Sequence, residues 1–377
     1  MIKKLISFLI LALFIWLIWA FEGRKTTLPA PESFLSTVEE INPSDSLSRT
    51  LIGIQPFMIL TDYLSEQNFQ TKMELYFQEA EEKGWLHKKS LVLLPEYLGT
   101  WLVLAGEKRE VAEKETLPQG MTLMVGSNFF RFMATIPRTG NVEDKAAAAL
   151  FRLKSKKMAK IYFETFSHLA QAYQTHIAAG SIILPGAEVI DGTLITDLDK
   201  PLENVSFIFG PDGKIIGNPI RKAFPIESEQ PFLSASNPSQ IPVFPLPFAN
   251  TALLICADSW YEDAYQSAVS HQAEVILVPS YCTGDDTMEQ LWSGYSGYPE
   301  PSSVQITDIG KITEKQAWEK YAMPGKIKST SAQVGMNVFL RGEFWDLGTD
   351  GQPLVVYQGK LLPIKKAEKA GIWALNY

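Results

Sequence analysis

Cysteine is scarce in this chain. The two present in 377 residues, Cys256 and Cys282, are too few for a disulfide framework and too far apart for a local metal knuckle. Histidine is nearly as rare, with four at positions 87, 168, 176 and 271 in no H-E-x-x-H or similar spacing, so the sequence lends no support to a zinc site. No run of Lys or Arg is longer than a pair, and 34 basic residues against 42 acidic ones leave a formal charge of −8. That balance argues against a general nucleic-acid surface. Internal repeats are absent. A hydrophobic share of 46% and a charged share of 20% exclude a disordered, collagen-like or polytopic membrane chain. The length suits two domains or one large enzyme domain with a sizeable core.

One long apolar run is present. Leu5 to Phe21 (LISFLILALFIWLIWAF) carries no charge and is flanked by Lys3 and Lys4 before it and Glu22, Arg24 and Lys25 after it. As a helix rising about 1.5 Å per residue it covers roughly 25 Å, just enough for a ~30 Å hydrocarbon core if the lysines snorkel. Residues 1–23 therefore read as a single-pass membrane anchor. Ile18 and Ala20 before Phe21 match a small-x-small cleavage site poorly, so a cleaved signal and secretion rank second and a buried helix third. The amino terminus with Lys3 and Lys4 slightly outweighs Arg24 and Lys25, which places the rest of the chain outside the cytoplasm. Residues 24–49, rich in Pro, Ser and Thr, read as a tether, with the folded part, 50–377, starting near Thr50.

Beyond the tether, LIGIQPFMIL reads as a buried strand. Ser65 to Lys83 reads as a helix with Phe69, Met73, Tyr76, Phe77 and Ala80 on one face, stopped at Gly84. LVLLPE is a second apolar run. The same grammar returns in a helix Tyr162 to Ala178, the strand SIILPGAEV, the pair NVSFIFG and KIIGNPI joined by P-D-G, then TALLICAD and EVILVPSY. This is an α/β pattern with a mixed sheet or paired sheets. Stretches near 100–160 and 284–328 look inserted, as lids and partner surfaces often are.

Three reactive side chains each follow an apolar strand or turn: Glu96 ends LVLLPE, Lys222 lies in GNPIRKAFP, and Cys256 ends TALLIC. Singly, each has an ordinary explanation as a solvated strand-end acid, an exposed basic residue and a small buried hydrophobe. Their combination is informative. The order P-E, P-D-G-K-I-I-G-N-P-I-R-K, L-L-I-C-A-D-S-W-Y and A-E-V-I-L-V-P-S resembles the nitrilase superfamily, also called carbon–nitrogen hydrolases, over roughly residues 50–360. The step 256 − 222 = 34 is usual for that family, whereas 222 − 96 = 126 is long, and the excess coincides with the insertion at 100–160. Ala257 stands where the family commonly has an aromatic residue.

The resemblance implies a four-layer α-β-β-α sandwich after the transmembrane helix, pairing through helical faces into a homodimer, and a Glu96–Lys222–Cys256 triad that needs no cofactor and no metal. A free thiol is mostly protonated at neutral pH and needs an adjacent base. Glu96 is suited to accept its proton, and Lys222 to favour the thiolate and donate to the oxyanion with the Ala257 N–H. The family carries a further glutamate between the lysine and cysteine motifs, for which Glu229 is preferred over Glu227. The expected enzyme is thus an amidase-type hydrolase of small-molecule amides, acting on C–N bonds other than peptide bonds through a Cys acyl-thioester. Nitrile hydrolysis, acyl transfer to an amine as in lipoprotein N-acyltransferases, and an inactive interaction module are the alternatives. A Cys256–His271 pair ranks below all of these. Asp258 reads as a helix cap or an orienter of the turn. Cys282, Trp260, Tyr97 and Trp101 read as pocket-lining or packing groups.

Overall fold

A computed structural model describes residues 2–43 and 49–377. The first helix, α1 (Ile2–Phe21), is exposed along almost its whole length, with only Ala20 fully buried. It is long and apolar enough to cross a membrane.

Two sheets form the centre of the domain. The first has seven strands: β1 (Leu35–Glu40), β2 (Thr50–Gln55), β3 (Ser90–Leu93), β4 (His176–Pro185), β5 (Leu202–Phe209), β6 (Ile215–Arg221) and, from the far end of the chain, Ala370–Asn376. The second has six: β7 (Val243–Leu246), β8 (Ala249–Leu253), β9 (Val275–Ser280), β10 (Val334–Phe339), β11 (Leu354–Tyr357) and β12 (Lys360–Leu362). Ala370–Asn376 is β13, and the first sheet runs β1-β13-β2-β3-β4-β5-β6. Strands β2, β3 and β4 are parallel neighbours, as are β8, β9 and β10. Their carboxyl ends are where open α/β sheets present groups to a cleft.

Alternation along the strands builds the layers. Leu51, Leu91, Leu93 and Ala178 point into the core shared with the second sheet, whereas Ile52, Ile54, Val92 and Ile177 point the other way, toward helices. At Gly53 the sheets approach closely, since a Cβ there would lie 2.5 Å from Met336 Sδ. Outside the first sheet lie α2 (Glu66–Glu82), α3 (Leu117–Ser127), α4 (Phe129–Thr135) and α5 (Lys145–Ala172). Outside the second lies α6 (Glu314–Tyr321), whose Ala317, Trp318 and Tyr321 are buried. The order is helix, sheet, sheet, helix, as the resemblance implies.

Helix α2 starts at Ser65, whose side chain accepts the Asn68 N–H at 3.0 Å, and buries Phe69, Met73, Tyr76, Phe77 and Ala80, the face read from the sequence. The second helix differs from its expectation of Tyr162 to Ala178. Asp144 accepts the N–H groups of Ala146 and Ala147 at 3.0 and 2.9 Å, so the helix begins seventeen residues earlier inside the supposed insertion, and Gln174 at φ +50° lies just past its end. His176 to Ala178 belong to β4. The strand LIGIQPFMIL is interrupted at Pro56, which has no N–H for the ladder.

The stretch read as a tether is partly built into the domain. Leu35–Glu40 is an edge strand parallel to β13, with Thr37 opposite Gly371 and Val38 opposite Ile372. Upstream of it, Asn68 donates to the Pro29 carbonyl at 3.0 Å and the Tyr76 hydroxyl to that of Ser33 at 2.6 Å. The fold thus begins well before Thr50. An edge strand with one solvated side needs no sustained apolar run, so composition there looks like a linker. Residues 44–48 of the expected tether lie outside the described residues.

Candidate active site

Four strand ends converge on one place. Glu96 lies three residues past β3, Lys222 directly after β6, Cys256 three residues past β8, and Tyr281 directly after β9. The Glu96 segment is fixed by a bulge in β4 between Ala178 and Ser181. Gly180 adopts φ +71° there, and a Cβ on it would lie 2.2 Å from the Pro95 carbonyl oxygen, so no other residue fits without displacing the strand end. Ser181 then accepts the Tyr97 N–H on its Oγ at 2.9 Å.

At the centre stands the Lys222 ammonium. It donates to Glu96 Oε1 at 2.8 Å and to Glu229 Oε2 at 2.7 Å, and all three side chains are 2% exposed. An ammonium has three N–H donors, so these two bonds leave one for a further acceptor. Asn204 of β5 bridges the same carboxylates, its Nδ2 lying 2.8 Å from Glu96 Oε1 and 3.2 Å from Glu229 Oε1. Glu229 also accepts the Ile226 N–H at 2.8 Å and the Tyr97 hydroxyl. Glu227 is exposed, and its backbone N–H turns to Ser296. Of the two glutamates considered for this role, the structure brings only Glu229 to the lysine.

Cys256 opens a short 3-10 turn, Cys256–Trp260, with φ +50°, a backbone state that costs a non-glycine residue energy and persists only where the surroundings enforce it. Asp258 supplies much of that enforcement. Its Oδ1 accepts the N–H groups of Ala223 and Phe224 at 2.9 and 2.8 Å, and its Oδ2 that of Ile255 at 3.3 Å, tying the lysine loop to the cysteine turn. The thiol neighbours the Glu96 carboxyl and lies 3.9 Å from the Tyr281 carbonyl oxygen. The Ala257 N–H lies in the first turn of the 3-10 segment, where N–H groups have no intrahelical acceptor.

Burial dominates the electrostatics. It raises the Glu96 carboxyl above the ordinary carboxylate range, with Lys222 opposing and Glu229 reinforcing. Burial works against the Lys222 charge, but Glu229 and Glu96 outweigh it and hold the ammonium above its usual range. Burial and the neighbouring Glu96 push the Cys256 thiol well up, with Lys222 pulling only partly back. Burial thus favours the protonated thiol at Cys256, in keeping with the need for an adjacent base read from the sequence. Asp258 is raised to about 7 by burial, against Lys222 and its three backbone donors.

Aromatic side chains wall this cluster. Phe224 stacks on Tyr261 at 4.0 Å, and Tyr298 meets Phe224 edge-on at 5.4 Å. Tyr295 and Tyr298 both come from the segment 284–328 that looked inserted. Tyr97 and Tyr281 lie 5.6 Å apart. Cys256 and Cys282 are both free thiols. His271 faces Ser267 and Ser270 rather than Cys256. Among the described residues no group of three His, Cys, Asp or Glu side chains is gathered as a metal site. Sequence reading missed Asn204, whose one signal was a carboxamide in the mostly apolar strand NVSFIFG, and the hydroxyl role of Tyr97, which looked like a packing aromatic.

The family model described as carbon–nitrogen hydrolase matches residues 51–298. No curated protein matches the sequence significantly. Among solved structures, a double mutant of the amidase from Nesterenkonia sp. AN1 in complex with acrylamide shares 13% identity over 89% of this chain and 93% of that one, at a TM-score of 0.52. An amidase from Nesterenkonia sp. shares 14% over 89% and 94%, also at 0.52. A mutant of the AN1 amidase with the acetamide moiety of fluoroacetamide added covalently at its active-site cysteine shares 14% over 88% and 90%, at 0.50.

Proposed function

The chain belongs to the carbon–nitrogen hydrolase family, and from that premise we propose that it is a thiol-dependent amidase using Cys256 as nucleophile, Glu96 as general base and acid, and Lys222 as oxyanion donor. The observation that carries this reading is the buried Lys222 ammonium held between Glu96 and Glu229, with a strained cysteine turn beside it.

In the proposed cycle, Cys256 Sγ attacks the amide carbon as its proton passes to Glu96. Glu96 must be ionised to take that proton, and burial keeps the thiol protonated until then, so transfer accompanies attack. The carbonyl oxygen becomes an oxyanion, stabilised by the third Lys222 N–H and the Ala257 N–H. Collapse breaks the C–N bond, Glu96 returns its proton to the departing nitrogen, and ammonia or an amine leaves an acyl thioester on Cys256. Water then attacks the thioester, giving a proton to Glu96. Collapse expels the sulfur, which takes that proton back, and the acid is released. Glu229, with Asn204 and Tyr97, positions Lys222. That a structurally similar amidase binds acrylamide favours small primary amides as the substrate class.

We further read α1 as a membrane anchor, supported by the length and apolarity of Ile2–Phe21, with the catalytic domain on the non-cytoplasmic side, supported by the amino terminus with Lys3 and Lys4 slightly outweighing Arg24 and Lys25. The functional test is ammonia release from a panel of short amides by the full chain. Turnover that disappears in Cys256→Ala supports the reading, and turnover retained in that variant overturns it.

A further inference from the structure

Outside α1, three exposed large apolar side chains fall together on one short helix. Phe129, Phe130 and Met133 of α4 are 46%, 56% and 51% exposed, while Phe132 on the other face is buried. This patch adjoins α1. Trp16 Nε1 donates to the Gly126 carbonyl at 3.0 Å, and the Trp16 ring meets Phe130 edge-on at 4.9 Å. Trp16 stands five residues before the end of α1, about 8 Å along its axis. Interfacial helices bury their apolar faces about 5–10 Å into a bilayer, so α4 meets α1 at the depth such a helix takes.

Charge agrees with that placement. Residues 116–142 contain no Asp or Glu, and their only ionised side chains are Arg131 and Arg138, in a chain that is acidic as a whole. The arrangement is also rigidly mounted. Arg24, just past α1, donates to the carbonyls of Gly106 and Ser127 at 3.0 and 3.3 Å and pairs with buried Glu107 at 3.3 Å. Glu107 in turn accepts from Asn128 at 2.9 Å and pairs with Lys154 of α5 at 2.6 Å. One buried carboxylate thus joins the exit of α1, the α3–α4 corner and the long helix.

We propose that α4 and the end of α3 are seated in the lipid bilayer that α1 crosses, with Phe129, Phe130 and Met133 as the inserted side chains, so that the domain is held in one orientation on the membrane. The proposal rests on reading α1 as membrane-spanning. Its occupant is a lipid surface. A second copy of the chain covering the same patch is the competing outcome.

The test is photocrosslinking of the full chain in phosphatidylcholine and phosphatidylglycerol vesicles doped with a diazirine-bearing phosphatidylcholine, with adducts mapped by mass spectrometry. Adducts are expected on α1 and on the peptide around residues 129–133, the latter lost in Phe129→Asp/Phe130→Asp and separately reduced in Met133→Asp. All three positions are exposed, so these changes leave the core intact. Adducts on α1 alone overturn the proposal while leaving the anchor reading in place. Adducts on neither overturn both. In a parallel sample carrying photo-methionine at position 133, crosslinks to a second copy of the chain in place of lipid adducts assign the patch to self-association and also overturn it.

Discussion

Lys222 Nζ and Glu96 Oε1 lie 2.8 Å apart in a site where both side chains are 2% exposed. An ion pair this deep gains little net stability over an apolar replacement, but removing one partner leaves uncompensated charge. Lys222→Ala strands two carboxylates, Glu96 and Glu229. We expect it to abolish turnover and to cost about 3–5 kcal/mol of stability at neutral pH, read as a lowered melting temperature in detergent. A melting temperature equal to that of the wild type would show that the pair is not buried as described.

Glu96 as general base fixes the direction of the pH profile. Burial raises its folded pKa, so the base is protonated, and activity falls, on the acid side of a pKa above the ordinary carboxylate value of about 4.3. Glu96→Gln should lower kcat/KM by about 10²–10⁴-fold and erase that acid limb. An unchanged limb in the variant would assign it to another group.

Asp258 gives a stability signature of its own. Its folded pKa of about 7 exceeds the unfolded value of about 3.9, so the folded state holds a proton that the unfolded chain has released between those limits. The stability this contributes is fully present below about pH 4 and lost as pH rises through about 7. Asp258→Asn lacks this titration, and the difference in melting temperature between wild type and variant should shift in favour of the variant across that window. A constant difference would show that Asp258 ionises normally in the folded protein.

Two tyrosines separate bonding from packing. The Tyr97 hydroxyl donates to Glu229, whereas the Tyr281 hydroxyl is buried with no partner among the described residues. Tyr97→Phe should cost about 1.5–3 kcal/mol, the range for a hydrogen bond to a charged group, and depress kcat by freeing Glu229. Tyr281→Phe removes an unsatisfied group and should be neutral or slightly stabilising by the same measurement. Equal costs for the two variants would contradict the assigned bonds.

What the sequence disclosed follows from what short-range pattern encodes. Continuous apolar runs ending in Pro-Glu, Arg-Lys and Cys-Ala-Asp mark buried strands whose ends carry chemistry, and their order carried the family resemblance. The same pattern cannot mark β1, whose Ser36, Thr37 and Glu39 look like linker residues until β13, more than 300 residues away, supplies the partner. Nor does spacing separate Glu227 from Glu229. Only the turn after β6, closed by the Ile226 N–H on Glu229, directs one inward and leaves the other in solvent. The start of α5 was hidden because it sits within an apparent insertion, although Asp144 followed by alanines is a legible cap.

The central claim is a covalent acyl intermediate on Cys256. The most direct measurement is the intact mass of the full chain in detergent, acid-quenched after brief incubation with short amides, beside Cys256→Ala. The account predicts a mass increase equal to the acyl group, absent from the variant. No increase with any amide, together with iodoacetamide modifying Cys256 no faster than an ordinary buried thiol, would contradict it.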